Sequence, residues 1–222
     1  MTGSPVNSIW LFNLGADIYA WFTASAAWRA SATELAARLQ HVGPAQIVDL
    51  GCGPGVSTFE LARQLPAATL IGLDVAPRML NEARRRRRSE PSIHRITWIQ
   101  GDAARLPFED SSVDACTGHS FLYLVANRTA VLAEIKRVLK PGGHLVLMEP
   151  NDRHVSIAQA LSVSRDPRHL VSVSLWRPFS RLHGRFTPAT LIATLQRAGF
   201  ENCDAGESFA GLGLLASARK KP

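Results

Sequence analysis

Short apolar runs alternate with amphipathic stretches through the middle of the chain. Residues 45–50 (Ala-Gln-Ile-Val-Asp-Leu) form a compact apolar run that ends in glycines, as a buried strand does. A helix is predicted over 56–64, stopped near Pro66, then a second strand over 69–74. Residues 77–88 read as a helix with Pro77 in its first turn, where a missing N–H costs nothing. Strands follow over 96–100 and 113–118. A helix over 129–139 places apolar residues at 131, 132, 135, 138 and 139. Lys140–Gly143 is read as its stop and 144–148 as a fifth strand. Strands that alternate with helices in this way build βαβ units and a parallel sheet. Ligands of such sheets bind beyond the carboxyl ends of the strands.

Beyond Pro150 the pattern loosens. Residues 151–187 hold six arginines (153, 165, 168, 177, 181 and 185) against Asp152 and Asp166, together with three histidines and Trp176, Phe179 and Phe186. Thr187 is suited to cap a helix that starts at Pro188 and runs to about Ala198, where Gly199 closes it. Runs 200–204 and 212–218 read as a closing pair of strands.

Composition narrows the class. With 222 residues, 46% hydrophobic and 19% charged, the chain is a globular protein of about one domain. Its net charge of +7 favours acidic partners without choosing among nucleic acid, anionic lipid and a carboxylate or phosphate substrate. Three cysteines (52, 116 and 203) with no CxxC pair argue against a disulfide framework and for a reducing, cytoplasmic setting. Residues 1–16 carry no Lys or Arg, so a signal-peptide n-region is missing. The aromatic stretch 9–28 (Trp10, Phe12, Tyr19, Trp21, Phe22, Trp28) is broken by Gly15 and Asp17. It is expected to pack on the domain or cover a ligand, and no transmembrane segment is predicted.

The sharpest local signal is Val48-Asp-Leu-Gly-Cys-Gly-Pro-Gly55, between a strand and a helix. Glycines allow positive φ and close approach of a ligand to backbone, and the helix start offers free N–H groups. The dinucleotide fingerprint GxGxxG needs a glycine where Val56 stands. Asp49 would also repel a pyrophosphate, whereas a cationic ligand tolerates it. This loop resembles motif I of the class I S-adenosylmethionine-dependent methyltransferases, and its companions recur in order. Ile71–Leu80 resembles the second motif, Gln100–Asp110 the third, and Arg137–Leu147 the helix-turn-strand that follows.

The resemblance implies an α/β fold: a Rossmann-like three-layer sandwich with a mostly parallel seven-stranded sheet, the last strand antiparallel. The cofactor would be S-adenosyl-L-methionine, leaving as S-adenosyl-L-homocysteine. Its site would draw on Asp49, Gly51, Cys52, Gly53, Gly55, Asp74, Val75, Met79, Gly101, Asp102, Ala103 and His119. Asp74 would accept from the ribose hydroxyls, Asp102 from the adenine amine, and the Ala103 N–H would meet a ring nitrogen. Residues 1–222 are expected to form one methyltransferase domain. Its parts would be an N-terminal helical or lid segment (1–40), a cofactor-binding core (41–150), a substrate-recognition embellishment (151–187) and a closing helix with strand pair (188–218).

Methyl transfer from a sulfonium is an in-line displacement in which the protein mainly orients the reactants. His119, after the fourth strand, is the candidate base, because an imidazole titrates near neutrality. Tyr19, Tyr123, Arg177 and Arg181 are candidate substrate contacts, with Tyr19 and Trp21 in a lid. No metal is expected: His94, His144 and His154 lack ligand spacing. The run Arg84–Arg88 is read as a solvated helix face. The leading acceptor is a small molecule or lipid, with anionic character suited to the arginines and peripheral membrane contact left open. An RNA methyltransferase, an NAD-dependent oxidoreductase and a non-catalytic cofactor-binding protein are the alternatives. No appended RNA-binding module supports the first, and position 56 counts against the second.

Overall fold

The computed structural model describes residues 16–43, 45–90, 93, 95–156, 159, 162–164 and 166–222. Trp10, Phe12, His94 and Arg165 lie outside the described residues. Two helices lead, α1 (Ala16–Thr23) and α2 (Ala26–Ala37). Then come β1 (Gln46–Leu50), α3 (Val56–Gln64), β2 (Thr69–Asp74), α4 (Pro77–Arg87), β3 (Ile96–Gln100) and β4 (Val113–His119). Next are α5 (Arg128–Val138), β5 (Leu139–Pro150), α6 (Pro167–His183), α7 (Pro188–Arg197), β6 (Phe200–Ser208) and β7 (Gly213–Lys220).

The seven strands make one sheet in the order β3-β2-β1-β4-β5-β7-β6. The first five are parallel, and β7 runs antiparallel to both β5 and β6. This is the mixed, Rossmann-like sheet that the sequence led us to expect.

Alternate side chains of each strand enter different cores, as a period of two requires. On β1, Val48 and Leu50 join one cluster with Leu132, Ile135 and Leu191 from α5 and α7. Ile47 joins the other, with Leu35 of α2 and Phe59 and Leu61 of α3. Strands covered on both faces need apolar runs rather than alternation, which is why 45–50 and 69–74 were legible. A third cluster (Ala27, Trp28, Val173, Trp176, Phe209 and Leu212) sits under α2 and α6.

One expectation changes. Lys140–Gly143 is not a stop before the strand but an excursion within β5. Val113 pairs with Leu139 and Ala115 with His144, so the ladder resumes after the excursion. Gly142 lies within the excursion at φ +74°, a conformation that glycine adopts freely.

Within 151–187, where the pattern of the sequence loosens, α6 fills seventeen of the described residues. Asp166 caps it, its Oδ1 accepting from Arg168 N at 2.9 Å, and Pro167 takes the first turn. Its buried face is His169, Ser172, Val173, Trp176 and Ser180. That spacing is helical, but three of the five side chains are polar and Pro178 interrupts the run. Hydrophobic periodicity therefore gave no signal. Among the described residues, no helix is long and apolar enough to cross a membrane.

Candidate functional site

The glycine loop leaves β1 in a backbone shape that glycine alone tolerates easily. Gly51, Gly53 and Gly55 have φ of +62°, +53° and +85°. A Cβ on Gly51 would lie 2.5 Å from Phe121 Cδ2. One on Gly55 would lie 2.8 Å from Trp98 Cη2 and 3.0 Å from Phe59 Cε2. Gly55 thus lets the start of α3 close against the sheet.

Beneath the loop Asp49 is fully buried. Its Oδ2 accepts from Ser57 Oγ (2.7 Å) and Thr58 Oγ1 (2.6 Å), and its Oδ1 from Thr117 Oγ1 (2.9 Å). Burial raises its pKa against the pull of these three hydroxyls. The carboxylate ties β1, β4 and the first turn of α3 together.

A cavity of about 320 Å³ opens at the carboxyl ends of β1, β2, β3 and β4. Of the residues that the sequence proposed, Gly51, Gly53, Asp74, Val75, Met79, Gly101, Asp102, Ala103 and Tyr19 line it. Asp74 is 8% exposed; its Oδ2 accepts from Gly53 N and its Oδ1 from Ala76 N, both at 2.8 Å. A carboxylate has about four acceptor positions, so Asp74 can take ligand hydroxyls besides its backbone donors. Burial raises the Asp74 pKa, opposed by those backbone N–H groups. Burial, and then the Asp74 charge, push the Tyr19 phenol up to about 12. Asp102 Oδ1 accepts from Ala104 N (2.9 Å), an Asx turn at the rim.

Other expected residues stand elsewhere. Asp49 and Gly55 are absent from the cavity wall, since one carboxylate is saturated inside and the other position packs on Trp98. Cys52 and His119 line a smaller neighbouring cavity of about 30 Å³ with Thr23, Trp28 and Ser57. Tyr19, Gly51 and Gly53 belong to both cavities, so the two adjoin. Tyr123 is buried in the main core, 3% exposed. Arg177 spends its guanidinium on the backbone, donating to Asn151 O (2.9 Å) and Arg153 O (2.7 Å). Arg181 is exposed on the last turns of α6 and lines neither cavity.

His119 differs from expectation in its titration. Desolvation lowers its pKa to about 4, so the imidazole is neutral at pH 7 and a weak base. Its Nε2 lies 2.8 Å from Ser31 Oγ, which donates to Trp28 O at 2.9 Å. Trp28 Nε1 in turn donates to Ser172 Oγ of α6 at 2.7 Å.

The arginine run is not merely solvated. Arg86 Nη2 donates to Ala20 O at 3.1 Å, and Arg85 lies 3.7 Å from Asp17. Both contacts hold α1, which carries Tyr19.

Two features escaped the sequence reading. Ser120, Phe121, Leu124, Val125 and Asn127 complete the cavity wall from the segment after β4. Glu149 at the end of β5 is 1% exposed and accepts three backbone hydrogen bonds from that segment. An acid ending the apolar run Leu145–Met148 was the available signal.

The family profile described as a methyltransferase domain matches residues 48–147. Trans-aconitate 2-methyltransferase of Acidovorax sp. (strain JS42) is 36% identical over 148 residues, 66% of this chain and 52% of the relative. Demethylmenaquinone methyltransferase of Deinococcus radiodurans is 38% identical over 122 residues, 55% of this chain and 48% of the relative. The chain thus spans about half the length of the curated relatives it matches. A candidate S-adenosyl-L-methionine-dependent methyltransferase from Methanococcus maripaludis shares the fold. Its TM-score is 0.75 at 18% identity, over 95% of this chain and 94% of that one. Residues 48–147 thus match a methyltransferase domain, and the curated relatives named above are methyltransferases.

Proposed function

We propose that this protein transfers a methyl group from S-adenosylmethionine, held in the larger cavity, to a small-molecule or lipid-like acceptor. The observation that carries the reading is Asp74. Its carboxylate is fixed by Gly53 N and Ala76 N and lines a cavity of about 320 Å³, within the range of about 300–1,000 Å³ usual for small-molecule sites. A nucleoside with vicinal hydroxyls suits such an acceptor. Val75 and Met79 offer apolar surface for a purine, Asp102 an acceptor and Ala103 a donor for its edge. Gly51 and Gly53 allow the remainder to lie against backbone.

When bound, the cofactor supplies an electrophilic methyl group on a sulfonium. The protein's own part is orientation and exclusion of water. Tyr19, a neutral phenol at pH 7, covers the junction of the two cavities. His119, also neutral, lines the smaller cavity, by which the acceptor would enter. It serves there as a hydrogen-bonding group that orients the acceptor, not as a strong base.

The names of the relatives, trans-aconitate and demethylmenaquinone methyltransferases, support a carboxylate or a quinol as the acceptor class. The net charge of +7 and the exposed Arg181 of α6 favour an anionic group or contact with an anionic membrane surface. Three free cysteines agree with a cytoplasmic setting.

Calorimetric titration with S-adenosylhomocysteine tests the cofactor site, and Asp74→Ala is the control. Micromolar binding that the variant loses supports the reading, and its absence in the wild type removes it. Release of S-adenosylhomocysteine with quinols or polycarboxylates then tests the acceptor class.

A further inference from the structure

The wall of the cavity between β4 and α5 is held by a group that touches no ligand. Ser120 leaves β4 at φ +54°, a left-handed conformation uncommon for a residue with a side chain. Its N–H donates to Met148 O at 2.6 Å. The next three N–H groups all turn to one carboxylate. Phe121 N (3.2 Å) and Leu122 N (2.7 Å) donate to Glu149 Oε1, and Tyr123 N (3.1 Å) donates to Oε2. Arg128 grips the other side of the same turn. Its Nε donates to Leu122 O at 3.2 Å and its Nη2 to Tyr123 O at 3.2 Å, with the guanidinium 4.7 Å above the Phe186 ring. Phe121, so fixed, fills the space beside Gly51 and Gly118 and lines the cavity with Ser120.

We propose that Glu149 is a positioning residue for the cofactor cavity: by collecting the three successive N–H groups of Phe121, Leu122 and Tyr123, it fixes the wall on which ligand affinity depends. The inference rests on the reading of the larger cavity as the S-adenosylmethionine site. An anion buried at the end of a strand is costly unless its hydrogen bonds are satisfied, and here backbone donors and a cation supply them. The titratable and charged groups around it are Arg128 on α5, the Tyr123 phenol in the turn and His119 beside Met148 on β4; its partner on β7 is Leu214.

Burial lifts the Glu149 carboxyl to about 7 against the backbone donors and Arg128. The clamp therefore changes state in the neutral range. Above that value the carboxylate accepts all three bonds. Below it a proton on Oε2 displaces the bond from Tyr123 N, while Oε1 keeps the other two. Glutamine reproduces the protonated form at every pH, because its amide nitrogen cannot accept from Tyr123 N.

The test is the affinity of the full chain for S-adenosylhomocysteine between pH 5.5 and 8.5, in wild type and Glu149→Gln. The wild type is expected to weaken as pH falls, by roughly three- to tenfold for one lost hydrogen bond. The variant is expected to hold the low-pH wild-type affinity throughout. Amide exchange on the wild type gives a second reading that needs no variant: protection of Tyr123 N–H falls on acidification while that of Leu122 persists. A variant with wild-type affinity and profile, or a Tyr123 amide equally protected from pH 8.5 to 5.5, overturns the inference and leaves the cofactor reading standing. A wild type that binds no S-adenosylhomocysteine overturns both.

Discussion

The larger cavity, proposed to hold the cofactor, and the helical cap beside it are built by different means. The cavity sits on strand ends and is shaped by backbone: three positive-φ glycines, the N–H groups that hold Asp74, and the turn clamped by Glu149. The cap of α1, α2 and α6 is held together, and joined to the sheet, by side chains distant in sequence. Trp28 Nε1 meets Ser172 Oγ across 144 residues, and Ser31 Oγ meets His119 Nε2 across 88. Backbone-built sites vary little with side-chain identity at most positions. A side-chain-built cap can be reshaped by single substitutions. The division suits the proposed methyl transfer, with one cofactor in common and an acceptor that differs among the named relatives.

The largest effect is expected where backbone and ligand meet. Asp74→Ala removes two prospective ligand bonds and leaves Gly53 N and Ala76 N without acceptors. Affinity for S-adenosylhomocysteine should fall roughly a hundredfold or more, read by calorimetry. Asp49→Asn should do the reverse. Its amide oxygen is one acceptor group for three hydroxyl donors, so denaturant unfolding should register a loss of about 2 kcal/mol. Affinity should change by less than about threefold, because Asp49 is absent from the cavity wall. If Asp49→Asn cost as much affinity as Asp74→Ala, the two carboxylates would not have separate tasks.

The same division explains what could be read from sequence. The strands from β1 to β4 fell within a residue or so of prediction, because sheets covered on both faces demand continuous apolar runs. Asp74, Gly101 and Asp102 were proposed from the resemblance of their motifs, and they line the larger cavity at strand ends. The helix α6 was hidden, because its buried face is His169, Ser172, Val173, Trp176 and Ser180. The arginines of 151–187 read as substrate contacts, yet Arg177 bonds to backbone. Charge in a sequence does not reveal whether its partner is a ligand or a carbonyl. Glu149 carried one signal, an acid ending an apolar run, but its partners are three N–H groups that side-chain identity does not reveal.

His119 lies at the junction of the two regions, and pH separates its roles. Its folded pKa is lowered from 6.5 to about 4. Between those values the unfolded chain binds the proton and the folded protein does not. The contribution to stability is therefore present above pH 6.5 and lost as pH falls toward 4, at no more than about 1.4 kcal/mol per pH unit. The stability difference between wild type and His119→Asn should be constant above pH 7 and shrink by about 1–2 kcal/mol on acidification to pH 5. A change centred near pH 7 instead would restore His119 as a neutral-range base and join the cap to the chemistry.

The smallest expected effect tests the separation most directly. Trp28→Phe keeps an aromatic ring against Trp176 and Phe209, 5.3 and 5.2 Å away in the wild type, but deletes the donor to Ser172. Ser172→Ala deletes the acceptor. Each variant alone mixes the lost bond with changes in packing, and a double-mutant cycle removes those common terms. For a buried neutral pair the coupling in unfolding free energy should be about 1 kcal/mol. In S-adenosylhomocysteine affinity the coupling should vanish, since neither Trp28 nor Ser172 lines the larger cavity. A cycle that couples stability alone means that the cap can be redesigned toward other acceptors without weakening the cofactor. Coupling in both means that Tyr19, carried by α1 and shared between the two cavities, transmits the state of the cap to the ligand, and the two regions are one site.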